Sequence, residues 1–185
     1  MFATNIFGNY DTQPVEIKII SDTATIPTKA HPDDACYDIY ADTENEPVVI
    51  YPQSKAVIHT GFQTKIPRGY FAAIFPRSGL ACKYNVRLAN SVAVIDSNYR
   101  GEWMIVLYND SDEERVIHHG DRIAQFCLVP VIDFKFYQAD ELDDTDRGEG
   151  GFGSSGIWVT QTNRRSGKDS VTTLSLFLSP KLVDY

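Results

Sequence analysis

Short runs of β-favouring residues, separated by turn residues, recur along most of this chain. The breakers between them include "YPQS", "PRGY", "YNDSDE" and "HHGD". Runs of this length and spacing predict an all-β sandwich or barrel rather than a helical protein. We expect one short helix, over residues 79–85. The predicted strands lie within residues 15–20, 48–51, 56–66, 70–75, 103–108, 114–118 and 123–137.

The composition predicts a single folded domain. A chain of 185 residues with 43% apolar content can bury one core, and we place it in residues 1–138. Residues 139–156 form an acidic connector followed by a glycine-rich stretch, which favours a solvated segment. Residues 157–185 are too apolar to be assigned as disordered, and their placement is not predicted.

The charge and the apolar pattern exclude several classes of protein. The net charge of −8 argues against broad electrostatic binding to nucleic acid, so a phosphate ligand has to be held locally by a few arginines, backbone N–H groups or a divalent cation. No apolar stretch is long enough for a membrane span, and the N-terminus does not resemble a signal peptide. Three widely spaced cysteines support neither a disulfide framework nor a zinc site. We expect an intracellular, cytoplasmic protein.

The segment "IFPRSGLACKY" (74–84) is the first candidate site. A strand that ends in Pro-Arg-Ser-Gly and leads into a helix directs backbone N–H groups and a hydroxyl toward one place, which is how proteins hold phosphate oxygens. An ordinary strand-to-helix turn with Ser78 as N-cap explains the same residues. The segment alone does not decide between the two.

The loop "DSNYRG" (96–101) is the second candidate, because apolar runs flank it as in a hairpin. Asp96 is either a turn residue bonded to its own backbone or a carboxylate that activates a water. Tyr99 is suited to stacking on a ring or a sugar. Both interpretations of the loop stay open at this point.

In "HHGDRIAQF" (118–126), Arg122 and Gln125 interrupt an apolar run, which fits an amphipathic edge strand whose polar residues face water. Adjacent His118 and His119 point to opposite sides of an extended backbone, which argues against a shared metal.

Two further segments carry polar groups with more than one interpretation. Asp33, Asp34, Asp38 and Asp42 of "PDDACYDIYAD" (32–42) are either oxygen ligands for Mg²⁺ or an acidic loop without a ligand. The stretch "DRGEGGFGSSG" (146–156) reads as a linker or as a phosphate-binding loop, and it lacks the Gly-Lys-Ser/Thr ending of a Walker loop.

Taken in order, these segments resemble the five motifs of the trimeric, all-β dUTPase (deoxyuridine triphosphate nucleotidohydrolase) family, from about residue 15 to residue 156. The matching stretches are "DACYDIYA", "PRSGLA", "NSVAVIDSNYRGE", "GDRIAQ" and "RGEGGFGSSG". The resemblance implies a distorted β-barrel or jelly-roll with a flexible C-terminal arm. It also implies Mg²⁺-dependent hydrolysis of dUTP to dUMP and pyrophosphate, which supplies the dTTP precursor and keeps uracil out of DNA.

The resemblance further implies a homotrimer with three shared active sites, each built from several chains. From the net charge and the lack of a long apolar stretch we expect no direct contact with nucleic acid or membrane. Asp96 matches the carboxylate that positions and activates the attacking water, and Tyr99 matches the aromatic ring that lies against deoxyribose. The positions that match the uracil-reading hairpin are Asn90, Ala93, Val94 and Ile95.

The phosphate contacts implied by the resemblance come from three motifs. A Mg²⁺ held mainly by the triphosphate and waters is expected, with Asp38 helping to order it through water. In the arm, Arg147 matches the residue that meets the γ-phosphate and Phe152 the ring that stacks on uracil. The remaining phosphate-binding positions are Arg77, Ser78, Gly79 and Gln125, with Gly153, Ser154 and Ser155 in the arm.

The chain departs from the family pattern at four positions. Glycine is usual at Cys36, Ser91 and Ala93, and aspartate at Asn98, so the side chains at 91 and 93 narrow the opening for uracil. Two other functions fit the fold: a dCTP deaminase, or a regulatory module that no longer turns over nucleotide. The complete "VIDSNYRG" and the aromatic arm favour dUTPase.

Overall fold

The computed structural model describes residues 13–151, which form eleven β-strands and one short helix. The all-β class is therefore confirmed. The strands are β1 (Glu16–Ile19), β2 (Tyr37–Tyr40), β3 (Val48–Ile50), β4 (Lys55–Ile58), β5 (Phe62–Lys65), β6 (Tyr70–Phe75), β7 (Val86–Leu88), β8 (Ala93–Ile95), β9 (Ile105–Asn109), β10 (Arg115–Ile117) and β11 (Arg122–Pro130), and the helix is α1 (Ser78–Tyr84).

The strands pair into four antiparallel sheets. A four-stranded sheet has the order β2-β11-β6-β8, and a three-stranded sheet has the order β4-β9-β7. Two further pairs are β1 with β5 and β3 with β10. In the described part of the chain these ladders do not join into one closed barrel, so the predicted barrel is present as separate sheets packed around a core.

The core forms where one face of each sheet is apolar. In β9, Ile105, Leu107 and Asn109 are buried and alternate with less buried residues, as expected for a strand with one face inward. Trp103 is 1% exposed, and its ring lies 5.3 Å from that of Phe62 and 4.9 Å from that of Phe126. Full burial of a large apolar side chain stabilises a fold by about 1.5–3 kcal/mol. This aromatic cluster therefore fixes β11 against β5.

Several strand predictions change in detail. The run over 56–66 divides into β4 and β5 at Gly61, whose φ of +69° turns the chain. The run over 123–137 ends as a strand at Pro130. Three short strands, β2, β7 and β8, lie outside the predicted runs.

The expected hairpin around "DSNYRG" is wrong. β8 pairs with β6, whereas β9 pairs with β4 and β7, so the loop connects two different sheets. The physical reason is Trp103, whose side chain is buried and whose backbone N–H donates to the carbonyl of Phe62 at 3.1 Å. Burying this ring draws the chain after the loop away from β8.

Helix α1 lies one residue earlier than predicted. It begins at Ser78 and ends at Tyr84, and Asn85 closes it in the left-handed conformation with φ of 54°. The Asn85 N–H donates to the carbonyl of Leu80, which satisfies a terminal acceptor of the helix.

The chain divides into two compact units, the first ending at Lys135 and the second beginning at Phe136. Residues 136–151 of the second unit contain no helix or strand. Among residues 13–151, no helix is long and apolar enough to cross a membrane.

Candidate active site

The first group of candidate residues lies on one face of the four-stranded sheet. The register pairs Asp38 of β2 with Gln125 of β11, and Gln125 with Phe75 of β6. Directly paired residues place their side chains on the same face, and the residue two positions further along a strand returns to it. Arg77 therefore projects toward Asp38, although 39 residues separate the two in sequence.

Two arginines hold the Asp38 carboxylate. Arg77 Nε donates to one carboxylate oxygen at 2.8 Å, and Arg122 Nη1 donates to the other at 3.2 Å. Asp38 is 8% exposed, so water screens these contacts only weakly. Arg77 Nη1 also donates to the carbonyl of Arg122 at 3.2 Å. Since a guanidinium has five N–H donors, these contacts orient Arg77 and leave donors for an anion.

A bulge in β11 brings Gln125 to Asp38. Arg122 pairs with Tyr40 but Ala124 pairs with Ile39, so the register shifts by one residue. In a regular ladder Ala124 would lie opposite Asp38, and Gln125 would point to the other face. Because β11 lies between β2 and β6, the prediction that residues 118–126 form an edge strand is wrong.

Gln125 also joins β11 to the loop that leads into α1. Its Nε2 donates to the carbonyl of Pro76 at 2.9 Å. This bond holds the backbone immediately before Arg77. Gln125 therefore fixes the main chain next to Arg77, and Asp38 fixes the Arg77 side chain.

Ser78 and Gly79 begin α1 beside Asp38, Arg77 and Gln125. The N-cap is Arg77, with φ −91° and ψ 132°, and no side chain caps the helix. The interpretation of Ser78 as N-cap is therefore wrong, because Ser78 already has helical geometry. A Cβ added to Gly79 would meet no heavy atom within 4 Å, so this side of the helix is open. A depression of about 260 Å³ is lined by Cys36, Asp38, Arg77, Ser78, Gly79 and Gln125, among others.

Asp96 and Tyr99 form a second group in the loop after β8. Both side chains are exposed. The Tyr99 N–H donates to the carbonyl of Asp96 at 3.1 Å, and the Tyr99 hydroxyl donates to the carbonyl of Glu102 at 3.0 Å. A Cβ added to Gly101 would clash with the Tyr99 hydroxyl. The loop is therefore folded closely around Tyr99 and has space only for glycine at 101.

Asn90 and Ser91 form a tight turn before β8. The Val92 N–H donates to the carbonyl of Asn90 at 2.6 Å. Ser91 has φ of 59°, in the left-handed region that residues with a side chain seldom adopt. Ala93 instead pairs with Ile74 in a regular ladder. Of Ser91 and Ala93, only Ser91 therefore has a backbone conformation that favours glycine.

The two groups lie at opposite ends of β6. β8 runs antiparallel to β6 with Ile95 opposite Ala72, so Asp96 lies near Phe71, whereas Arg77 follows the other end of the strand. The six residue-to-residue steps from Phe71 to Arg77 span roughly 20 Å in an extended strand. Within one chain, Asp96 and Arg77 are therefore too far apart to act on one α-phosphate and its attacking water.

The arm residues fall in the second unit or outside the described range. Arg147 lies in a turn, where its Nε donates to the carbonyl of Gly150 at 2.8 Å and the Gly150 N–H donates to the carbonyl of Arg147 at 3.1 Å. The predictions for Phe152, Gly153, Ser154 and Ser155 concern residues outside the described part of the chain.

Glu102 anchors the loop that carries Asp96, a role that the sequence did not indicate. One of its carboxylate oxygens accepts from the N–H groups of Thr60 at 3.1 Å and Gly61 at 2.9 Å, and the other lies 2.9 Å from His59 Nδ1. Burial opposes ionisation, but the hydrogen bonds from His59 and the two backbone groups outweigh it and lower the pKa of Glu102. The carboxylate therefore fastens the end of the loop to the turn between β4 and β5.

The other carboxylates of the aspartate-rich segment bond within the chain. Asp34 accepts from the N–H of His31 at 2.8 Å. Asp42 is 5% exposed, accepts from the Thr23 hydroxyl at 2.5 Å and lies 3.5 Å from His119 Nδ1. In residues 13–151 no three His, Cys, Asp or Glu side chains are grouped so that they could hold a metal ion. These two aspartates stabilise loops.

Comparisons with known proteins all indicate the same family. The dUTPase family model matches residues 22–156. A deoxyuridine 5'-triphosphate nucleotidohydrolase of Syntrophotalea carbinolica is 41% identical over 146 residues, which cover 79% of this chain and 99% of that protein. One from Desulfitobacterium hafniense (strain DSM 10664 / DCB-2) is 46% identical over 133 residues, covering 71% and 87%.

Solved structures agree with this family in fold. A Staphylococcus bacteriophage 80alpha dUTPase with dUPNHPP superposes with a TM-score of 0.71 at 32% identity, covering 79% of this chain and all of that one. A mutant dUTPase from phage phi11 of S. aureus, described with a structural Mg(II) ion, has a TM-score of 0.64 at 27% identity, covering 71% and 99%.

Proposed function

Because this chain belongs to the dUTPase family and is a deoxyuridine 5'-triphosphate nucleotidohydrolase, we propose a phosphate subsite and a catalytic base for it. The base is Asp96. The phosphate subsite consists of Asp38, Arg77, Ser78, Gly79 and Gln125. The observation that carries the proposal is the guanidinium of Arg77, oriented by Asp38 beside the depression where Ser78 and Gly79 begin α1. A fixed cation beside an open helix start is suited to a polyphosphate.

The phosphate subsite combines three kinds of donor. Arg77 offers guanidinium N–H groups whose direction is set before the ligand arrives, so little side-chain entropy is lost on binding. Ser78 offers a hydroxyl, and Gly79 lets a phosphate oxygen approach the backbone closely. Gln125 holds the loop before Arg77 and lines the same depression. A local cationic site of this kind suits a protein whose net charge is −8.

The residues of this subsite fit a Mg²⁺ ion that arrives with the triphosphate. Both oxygens of Asp38 already accept from arginines, so Asp38 would reach the ion through a bound water rather than as a direct ligand. When bound, the ion neutralises charge on the phosphate oxygens.

Asp96 acts on the water that attacks the α-phosphorus. A carboxylate accepts the proton that the water loses as the new P–O bond forms, and dUMP and pyrophosphate are the products. The Tyr99 ring, whose hydroxyl donates to the carbonyl of Glu102, would lie against deoxyribose and leave no space for a ribose 2′-hydroxyl. The backbone from Asn90 to Ile95 would hydrogen-bond uracil.

We further propose a homotrimer in which each active site takes Asp96 from one chain and Arg77 from another. The supporting observation is the separation of roughly 20 Å along β6, which a second copy of the chain can close. Residues 139–156 of one subunit would act as the closing arm, with Arg147 at the γ-phosphate, Phe152 on uracil, and Gly153, Ser154 and Ser155 as donors.

The test is a Mg²⁺-dependent pyrophosphate-release assay with dUTP, dTTP, dCTP and UTP on the wild type and on Asp96→Asn. We expect hydrolysis of dUTP only, and a loss of turnover of about 10²-fold or more in the variant with binding of dUPNHPP retained. Asparagine keeps the size of the side chain and removes the base. Near-normal turnover in Asp96→Asn would refute the assignment of the base.

A further inference from the structure

Two cysteine thiols meet across strands at the edge of the phosphate depression. The ladder between β2 and β11 ends with Tyr37 opposite Phe126, and Cys36 and Cys127 are the next residues beyond this last pair. Both thiols are free and half-buried, and Cys127 is close enough to Cys36 to perturb the pKa of its thiol. Cys36 also lines the depression beside Asp38 and Arg77.

From this arrangement we propose that Cys36 and Cys127 form a redox modification site, in which a peroxide converts the two thiols into a disulfide that lowers dUTP hydrolysis. The two cysteines directly follow the Tyr37–Phe126 pair, and Cα atoms of paired antiparallel residues are about 4.5–5.5 Å apart, within the range that disulfides span. The bond can therefore form without moving either strand out of the sheet.

The chemistry balances with hydrogen peroxide as the oxidant. One thiolate attacks the O–O bond and becomes a sulfenic acid, and the second oxygen leaves as water after protonation. The other thiol then attacks the sulfenic sulfur, which forms the S–S bond and expels a second water. Two thiols are oxidised and one peroxide is reduced to two waters.

Burial first, and then the neighbouring Cys127, raise the pKa of the Cys36 thiol, against an opposing effect of Lys29. Asp38 adds to the rise. A smaller thiolate fraction makes the first step slow at neutral pH. The site therefore responds to sustained exposure to oxidant.

The disulfide acts on the phosphate subsite through the sheet. Cys36, the residue before β2, is two residues from Asp38, and Cys127 is two residues from Gln125 on β11. Cys36, Asp38 and Gln125 line the same depression. A disulfide brings the Cβ atoms to about 3.8 Å, closer than in an ordinary cross-strand pair. The Asp38–Gln125 pair that orients Arg77 shifts with it. The bond itself follows from the thiol geometry, whereas its effect on turnover rests on the proposed phosphate subsite.

The experiment uses the full-length chain carrying Cys82→Ser, which removes the exposed cysteine of α1 as a source of disulfides between molecules. After exposure to hydrogen peroxide, intact mass and peptide mapping should show the loss of two hydrogens and a Cys36–Cys127 crosslink. We expect kcat/KM for dUTP to fall about ten-fold or more and to recover with dithiothreitol. Cys82→Ser/Cys127→Ser is the matched control and should show neither the crosslink nor the recoverable loss.

Two results would overturn the proposal: both thiols remain reduced after prolonged exposure, or the crosslinked enzyme keeps its kcat/KM. Arg77→Ala in the reduced enzyme separates this failure from that of the subsite. If Arg77→Ala loses turnover while the crosslinked enzyme does not, the redox site fails and the phosphate subsite stands. If reduced Arg77→Ala keeps its turnover, the subsite itself is wrong.

Discussion

Mixed trimers give a direct test of the separation between Asp96 and Arg77. The perturbation is a pair of variants, Asp96→Asn and Arg77→Ala, carried on chains with different affinity tags and produced together. Each variant alone lacks one half of every active site. If a site takes the two residues from different chains, some sites in a mixed trimer regain both.

The expected magnitude follows from the geometry. A span of roughly 20 Å along β6 excludes a complete site within one chain, and a cyclic trimer pairs each chain with one neighbour in a fixed direction. In any ring that contains both variants, one of the three junctions joins an intact Asp96 to an intact Arg77. Trimers that carry both tags should therefore show about one third of the wild-type kcat per trimer.

The assay is pyrophosphate release by trimers purified through both tags in succession, with each homotrimer as a background control. Urea unfolding of the Arg77→Ala homotrimer checks that the loss of its bond to Asp38 leaves a folded protein. Activity no higher than either homotrimer would refute the shared site. Such a result would require Asp96 and Arg77 to meet within one chain.

Two further predictions concern the loop that carries Asp96. Gly101→Ala should push the Tyr99 ring aside, because the new methyl group would clash with its hydroxyl. The ratio of kcat/KM for dUTP to kcat/KM for UTP should fall, while the thermal midpoint changes little. An unchanged ratio would show that Tyr99 does not select the sugar. Glu102→Gln should cost about 1–2 kcal/mol of unfolding free energy near neutral pH. Because the pKa of Glu102 is lowered in the fold, its ionised form stabilises the protein above the ordinary carboxyl pKa, and this advantage is lost as the pH falls through the lower folded value. Urea titrations at several pH values between about 3 and 7 check this, and a difference from wild type that persists at the acid end would contradict it.

The fold class could be predicted because strand formation depends on local pattern. Runs such as residues 70–75 and 103–108 combine β-branched and aromatic residues, and turn residues bound each of them. The hairpin prediction around "DSNYRG" failed for a non-local reason. Burial of Trp103 against Phe62 and Phe126 assigns β9 to a different sheet from β8, and no feature of the loop itself shows this.

The structure brings one part of the predicted site together and keeps the other part distant. Ser78, Gly79 and Arg77 are adjacent in sequence, so their proximity needs no tertiary information. Asp38 and Gln125 join them only because of the strand order β2-β11-β6 and the bulge in β11. Arg122, which donates to the second carboxylate oxygen of Asp38, was identified from sequence only as a polar residue that interrupts an apolar run.

The sequence by itself determined the all-β class, the short helix near residue 79 and the order of the chemical groups along the chain, since these depend on neighbouring residues. Only the tertiary structure decided which groups meet. The one-residue shift in β11 sets Gln125 rather than Ala124 opposite Asp38, because side chains alternate between faces with a period of two. The antiparallel pairing of β6 with β8 sets Asp96 at the far end from Arg77, because the length of a strand fixes the distance between its ends.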